Sequence, residues 1–358
     1  MKPIFYTLLA SCLCAISAAQ ITADSALIQR ARAEKDFEEA KTEYAQFEKE
    51  HGHYLQTKNG KIHYLTYGKP QNTPLLWSGG SGTNAYELIL CAGEQLSQMG
   101  YYLICVDYYG QGRTPIPSGE VSLWHVADDM NEILKSLKIK KAVIGGWSRG
   151  GTITTVFYDT YPEKVLALIL EDGGSVSWNA NDHKLSIAEI EERNRKRFSE
   201  EKPEQVFDST FDAFYAEWPK KKWYRLFVMN GINTDSTGKW AMGKGLDHFY
   251  CEDNAENKLK ITLRTMDAPL YAASAQLVEP RIIYRNLAVP MLILDPVSDP
   301  EEFDFLVGNT ALQKMHPELI EHKVYAKTNH ALKFQRKDMF LKDMEDFLKR
   351  IKTFHQLK

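Results

Sequence analysis

From His53 onward, short runs of β-branched and aromatic residues alternate with longer stretches whose apolar residues recur at helical spacing. The runs cover residues 53–56, 61–67, 74–77, 101–106, 141–144, 165–170, 290–294 and 319–325, which predicts eight strands. Between them, Leu123, Val126, Ala127, Met130, Ile133, Leu134 and Leu137 follow a helical period, as do Phe340, Leu341, Met344, Phe347, Leu348 and Ile351. Alternation of this kind implies βαβ crossovers and a mostly parallel sheet with helices laid over it. The expected class is therefore α/β.

The alternation fails across residues 175–279, where charged residues mix with Trp178, Trp218, Trp223, Tyr224, Trp240, Phe249 and Tyr250 and no strand period survives. This stretch is expected to be a mainly helical insertion, dividing the α/β core into a first part at 53–174 and a second at 280–358. Residues 20–52 are dense in Ala, Glu and Lys, lack Pro, and reach their first Gly at Gly52, so they read as one charged helix. Its apolar stripe of Leu27, Phe37, Ala40, Tyr44 and Phe47 is thin. A helix packed loosely on the main domain is expected, with a spacer from a membrane anchor as the alternative.

Ahead of that helix, Lys2 precedes an apolar run from Ile4 to Ile16 and then small residues, the layout of a secretory signal peptide over residues 1–19. An exported protein, periplasmic or secreted, is expected. Leu9-Ala10-Ser11-Cys12 also resembles a lipobox, so membrane attachment through a lipidated Cys12 is the alternative. Cleavage after Ala19 leaves Cys91, Cys105 and Cys251, an odd number that implies no disulfide framework. The 44 Lys and Arg nearly balance the 47 Asp and Glu, which speaks against a nucleic-acid partner and for a small-molecule substrate.

The candidate chemistry begins at Gly146-Trp147-Ser148-Arg149-Gly150, a G-x-S-x-G sequence directly after one β-rich run and before a helical one. A sharp strand-to-helix turn there presents Ser148 at a helix N-terminus, with glycines keeping other atoms clear of it. A serine needs a base, and His330 lies on a loop after the last strand and before the final helix. The base needs a carboxylate. Asp299, just beyond the run 290–294, is the first choice; Asp295 in the same segment and Asp172, ending the run 165–170, are its rivals. The backbone amides of Arg149 and of Gly80, in the Trp77-Ser-Gly-Gly-Ser-Gly82 loop, are the expected oxyanion donors. No His, Cys and Asp cluster has ligand spacing, so no metal or organic cofactor is expected.

With these pieces in order, residues 53–351 resemble the α/β-hydrolase superfamily, specifically its capped members related to esterases, C–C hydrolases and proline iminopeptidases. The resemblance is carried by Ser78-Gly79-Gly80, by Asp107-Tyr-Tyr-Gly-Gln-Gly-Arg-Thr114, by the turn at Ser148, and by Asp299 with His330. It implies an α/β-hydrolase fold with an eight-stranded sheet and the insertion as a cap over the active site. It also implies cleavage of a carboxylic ester, or of an amide as in aminopeptidases, where Glu191, Glu192, Glu200 or Glu201 would hold a free amine. Two positions depart from the family pattern: Ser78 and Trp147 each stand where a histidine is common. A catalytically silent binding protein on the same fold is the alternative of a different class.

Overall fold

The computed structural model describes residues 4–200, 205–234, 238–243, 254–299 and 305–356, with the backbone alone for residues 4–25, 183 and 200. In chain order the first half runs α1 (Ile4–His51), β1 (Gly52–Gln56), β2 (Lys61–Tyr67), β3 (Thr73–Ser78), α2 (Tyr86–Met99), β4 (Tyr101–Asp107), α3 (Leu123–Ser136), β5 (Ala142–Trp147), α4 (Arg149–Thr160) and β6 (Val165–Glu171). The insertion follows with α5 (Ile187–Glu200), α6 (Thr210–Glu217), α7 (Tyr224–Gly231), β7 (Ile232–Thr234), β8 (Trp240–Met242), α8 (Ala255–Leu263), α9 (Leu270–Leu277) and α10 (Pro280–Ile283). The core resumes with β9 (Met291–Val297), α11 (Leu306–Met315), β10 (Ile320–Ala326), α12 (Leu332–Gln335) and α13 (Lys337–His355).

Eight strands form one sheet in the order β1-β2-β4-β3-β5-β6-β9-β10. β2 pairs antiparallel with β1 and with β4, and every later pairing is parallel. The central strands β4 and β6 are buried along their whole length, because helices cover both faces. Side-chain alternation divides the core accordingly. Tyr102, Ile104 and Val106 pack with α3 and α4, whereas Tyr101, Leu103 and Cys105 pack with α2 and α13. The two periodic stretches of the sequence thus cover opposite faces. α3 begins in a capping box in which Ser122 and His125 satisfy each other's backbone amides, and α2 stops at Gly100 in a left-handed conformation.

The segment between β6 and β9 is mainly helical, with one element the sequence pattern missed, the two-stranded antiparallel β7–β8 hairpin. Tertiary contacts favour that hairpin over local periodicity: its two strands are three residues each, too short to register a period.

The charged N-terminal helix is not a loose appendage of the main domain. Phe37, Ala40 and Tyr44 are buried against Ala213 and Phe214 of α6 and Val228 and Met229 of α7, inside the insertion. The stripe is thin because a helix-on-helix seam needs only the residues of one ridge. Polar contacts reinforce the seam. The buried Arg225 guanidinium pairs with Glu39 and Glu43, and the Trp218 indole donates to Asp36. At the other end of α1, Glu48 accepts from His63 of β2, and the Tyr44 hydroxyl, with its one proton, lies 2.7 Å from both Glu48 Oε2 and Asn230 Oδ1 and donates to one of them at a time. The expected signal peptide and Cys12 fall among residues whose side chains lie outside the described ones, as does all of Cys251. No helix searched among the described residues is long and apolar enough to cross a membrane. Cys91 and Cys105 are buried free thiols.

Candidate active site

The strand-to-helix turn at Ser148 is as sharp as its glycines suggest. Ser148 takes φ 55° and ψ −118°, a left-handed backbone that a residue with a Cβ adopts only under strain. Its neighbours must be small for the turn to close. A Cβ on Gly150 would stand 1.9 Å from the carbonyl oxygen of Ser78, and one on Gly146 would stand 2.2 Å from the Gly150 backbone. The end of β3 and the start of α4 therefore touch backbone to backbone, which sets the loop at Gly80 beside the turn.

Register then decides which carboxylate reaches this point. Trp147 of β5 lies opposite Glu171 of β6, so Ser148 and Asp172 leave adjacent strands at the same level. The Ser148 amide donates to the Glu171 carbonyl, and Gly173 closes over the turn so tightly that a Cβ there would meet the Ser148 carbonyl at 2.2 Å. Asp172 itself sits at φ 46°, is almost fully buried, and accepts from His330 Nδ1 at 2.5 Å.

That pairing corrects the expectation for Asp299. Leu294 of β9 is the residue level with Glu171, so Asp299 stands five positions beyond it, about 16 Å of extended chain. It is exposed and makes no hydrogen bond with His330. Asp295 is buried at the right level but is engaged elsewhere, accepting from His322 Nε2 at 2.6 Å. The available signal was the Asp-Gly-Gly at the end of the strand next to Ser148. Order in the chain favoured Asp299; order in the sheet selects Asp172.

His330 reaches Asp172 because the chain turns back after β10. Lys327 is left-handed at φ 54°, and the Thr328 amide donates to the Val297 carbonyl. Trp147 then fixes the loop, its indole donating to the His330 carbonyl at 2.7 Å with the two rings 5.2 Å apart. This gives a physical account of one departure from the family pattern: the residue before the serine is a tryptophan that anchors the histidine. At the other departure, the Ser78 hydroxyl is buried against the Met130 sulfur at 3.6 Å.

Beneath this constellation lies a buried ion cluster that sequence reasoning missed. Lys333 is fully buried, with Nζ 2.9 Å from Glu87 and 3.1 Å from Glu171, and 3.8 Å from the centre of the Trp147 ring. Its amide also donates to Glu171, while Glu87 accepts from the Trp77 indole. Burial pushes the Glu171 carboxyl up to about 7 even though Lys333 opposes the shift. Burial alone would lower the Lys333 ammonium, but Glu171 and Glu87 outweigh it and hold it above its ordinary value. The cluster joins the residue before Asp172 to the helix that opens two residues after His330.

Of the expected oxyanion donors, Arg149 follows the serine in the chain and Gly80 packs on Trp147, the residue before it. Arg149 opens α4, where first-turn amides have no partner within the helix. Gly80 is buried against the Trp147 ring, where a Cβ would stand 3.0 Å from it, and its carbonyl is pinned by the Thr83 amide and hydroxyl. Ser148, Arg149 and Ser81 form one wall of a cavity of about 450 Å³ whose other walls are Trp178, Phe305 and residues of the insertion. Of the glutamates considered for amine binding, Glu192 pairs with Arg195 and Glu191 is exposed, while the Glu200 side chain and all of Glu201 lie outside the described residues. Among the described residues no group of three or more His, Cys, Asp and Glu side chains is arranged to hold a metal ion.

Comparisons with known proteins find likenesses to hydrolases. The sequence profile of the alpha/beta hydrolase fold family matches residues 76–222. The chain is 24% identical over 226 residues to the proline iminopeptidase of Neisseria gonorrhoeae, covering 56% of this chain and 71% of that one. Its fold is similar to that of an E-2-(acetamidomethylene)succinate hydrolase, with TM-score 0.57 and 14% identity over 83% of this chain and 98% of that one. It is also similar to a carboxylesterase from the thaumarchaeon Nitrososphaera gargenis, with TM-score 0.54 and 17% identity over 84% and 99%. Strand order, the strained serine turn and these matches together give the chain an α/β-hydrolase fold and support its place in the α/β-hydrolase superfamily.

Proposed function

We propose that this protein is a serine hydrolase that cleaves a carboxylic ester through an acyl-enzyme, with Ser148, His330 and Asp172 as its triad. The observation that carries the reading is the 2.5 Å pairing of His330 Nδ1 with buried Asp172 at the level of the strained Ser148 turn. Asp172 accepts the Nδ1 proton, which leaves Nε2 as the basic nitrogen. Nε2 takes the Ser148 proton as Oγ attacks the acyl carbon, and the resulting imidazolium is stabilised by the Asp172 carboxylate. The oxyanion is held by the Arg149 and Gly80 amides, aided by the N-terminal end of α4. Collapse expels the alcohol, which receives the proton from His330. Water, deprotonated by the same nitrogen, then releases the acid and restores Ser148.

A fluorophosphonate probe tests the nucleophile: wild type is labelled and Ser148→Ala is not. A folded wild type that resists labelling would leave the protein a binding module on a hydrolase scaffold. Amide cleavage is the second reading, supported by the similarity to the gonococcal proline iminopeptidase. Turnover of aminoacyl anilides above that of p-nitrophenyl acyl esters would favour it. The hydrophobic leader supports export, with mature protein beginning near Gln20. N-terminal sequencing of protein from cell fractions tests this, and a membrane-bound fraction lost in Cys12→Ser would favour the lipidated form.

A further inference from the structure

We infer that Lys333 is a positioning residue for the reaction at Ser148: its buried ammonium ties together the three segments that carry Ser148, Asp172 and His330. This deepens the serine-hydrolase reading and rests on it. Each partner of the ammonium leads to a member of the site. Glu171, at 3.1 Å, immediately precedes Asp172. Trp147, whose ring centre lies 3.8 Å away, immediately precedes Ser148. Glu87, at 2.9 Å, also accepts from the indole of Trp77, which stands three residues before Gly80. Lys333 itself follows His330 by three residues. Both of its backbone polar groups are bonded into the core, the amide to Glu171 and the carbonyl to the Cys91 thiol.

His330 needs such a seat. It lies on a loop in which Ala326, Lys327 and Asn329 are exposed, and the helix that follows, Leu332–Gln335, is a single turn too short to hold its own shape. Two contacts fix this stretch from below: the Trp147 indole donates to the His330 carbonyl, and Lys333 is anchored on Glu171. The ammonium joins the two. It sits over the face of the indole that holds His330 while binding the carboxylate next to Asp172. The same indole backs Gly80, where a Cβ would stand 3.0 Å from the ring. Displacing Lys333 therefore moves His330, Asp172 and Gly80 against Ser148 together. Well-packed apolar side chains would fill this space with no charge to desolvate, and such replacements of buried ion clusters are often neutral or stabilising. What the ammonium supplies and an apolar side chain does not is directed partners on separate segments. Placement of that kind matters to catalysis, where a shift of about 1 Å costs about 10²-fold in rate.

The test reads the rate of fluorophosphonate labelling at Ser148, which depends on His330 and does not require the natural ester. Lys333→Met, Lys333→Met with Glu171→Gln, and Trp147→Phe are compared with wild type under conditions where urea unfolding shows each to be folded. Both Lys333 variants are expected to label about 10²-fold more slowly than wild type. Adding Glu171→Gln is expected to recover stability but not rate. Trp147→Phe keeps an aromatic ring beside the ammonium and Gly80 and loses the N–H that holds His330, so labelling is expected to slow by about threefold to tenfold. In each variant the acid limb of the labelling rate against pH, which titrates His330, is expected to move from its wild-type position. Folded Lys333 variants with the wild-type rate and acid limb, or a rate that returns with stability on adding Glu171→Gln, overturn the positioning role and leave the hydrolase standing. If neither Lys333 variant folds, Trp147→Phe decides alone, and an unchanged rate and limb overturn the proposal. Wild type that resists labelling overturns the hydrolase reading. The far-downfield proton resonance of the hydrogen bond between His330 and Asp172, identified by its loss in His330→Gln, then decides the positioning role separately. Its loss or displacement in the folded variants supports the role, and an unchanged resonance overturns it.

Discussion

At the scale of single residues, two aspartates divide the argument about the base. Asp172 is buried and bonded to His330, and Asp299 is exposed. Removing the Asp172 charge while keeping its shape, as in Asp172→Asn, deprives His330 of the group that fixes its tautomer and stabilises the imidazolium. We expect kcat/KM to fall by about 10³–10⁴-fold, against less than about threefold for Asp299→Asn. The reverse ranking in steady-state kinetics would restore Asp299. Lys333 invites a second measurement. Lys333→Met leaves Glu171 and Glu87 buried beside an uncharged side chain, a loss expected to cost about 3–5 kcal/mol in urea unfolding. Adding Glu171→Gln to that variant removes a carboxyl that, without Lys333, must bind a proton to stay buried, and is expected to recover part of the loss. The serine and the histidine could be read from the sequence because each is tied to a local signal, a glycine-flanked turn and a loop before the last helix. Asp172 could be named only as a rival, because choosing it over Asp299 takes the pairing of β5 with β6 and of β6 with β9, and the Lys333 cluster joins α2, β6 and α12, segments far apart in the chain that no local pattern connects.

At the scale of elements, the joint between α1 and the sheet is an ionic one. His63 of β2 is buried, with Nδ1 2.6 Å from Asp107 and Nε2 3.1 Å from Glu48. Burial would lower its pKa, but the two carboxylates outweigh burial and raise it to about 9 from an ordinary 6.5. The folded state therefore binds the proton more tightly than the unfolded one. The stability this confers is fully present below about pH 6.5 and is lost as pH rises through about 9. In His63→Gln the corresponding fall in urea midpoint between pH 6 and pH 9.5 is expected to flatten. A wild type whose midpoint is unchanged across that range would show that His63 carries no such charge in the folded protein. Element identity was legible wherever a run was long and buried on both faces, as for β4 and β6. It was illegible in the β7–β8 hairpin, and in α1 the helix was legible but its partner was not. A thin stripe of Phe37, Ala40 and Tyr44 says that a helix is half-buried, not whether a sheet or another helix buries it.

At the scale of the whole molecule, α1 is the member that ties the insertion to the sheet. It is bonded to β2, the strand next to the sheet edge, through Glu48 and His63, and packed into α6 and α7 through Phe37, Ala40 and Tyr44. The insertion also touches the core directly, where Asn84 donates to the Phe227 carbonyl and Arg113 donates to the carbonyls of Met229 and Ile232. Those contacts hold one end of the insertion, the end that α1 covers. The cavity wall on α5 and the Ser148 turn at the end of β5 sit on different parts of the molecule, so their separation depends on how firmly the insertion is seated. Phe37→Ala and Tyr44→Ala each empty part of the seam, and Tyr44→Ala also strips a hydrogen-bond partner from Asn230 and Glu48. Each is expected to destabilise by about 3–5 kcal/mol if the seam cannot collapse. Because the seam lies in the insertion and not beneath Ser148, fluorophosphonate labelling should persist at temperatures below unfolding while the insertion becomes open to proteolysis. With an ester substrate kcat/KM is expected to fall, since the cavity beside Ser148 takes its walls from the core and from the insertion together. Unchanged kcat/KM, or unchanged proteolysis, would mean that α1 stabilises the fold without positioning the insertion over the site.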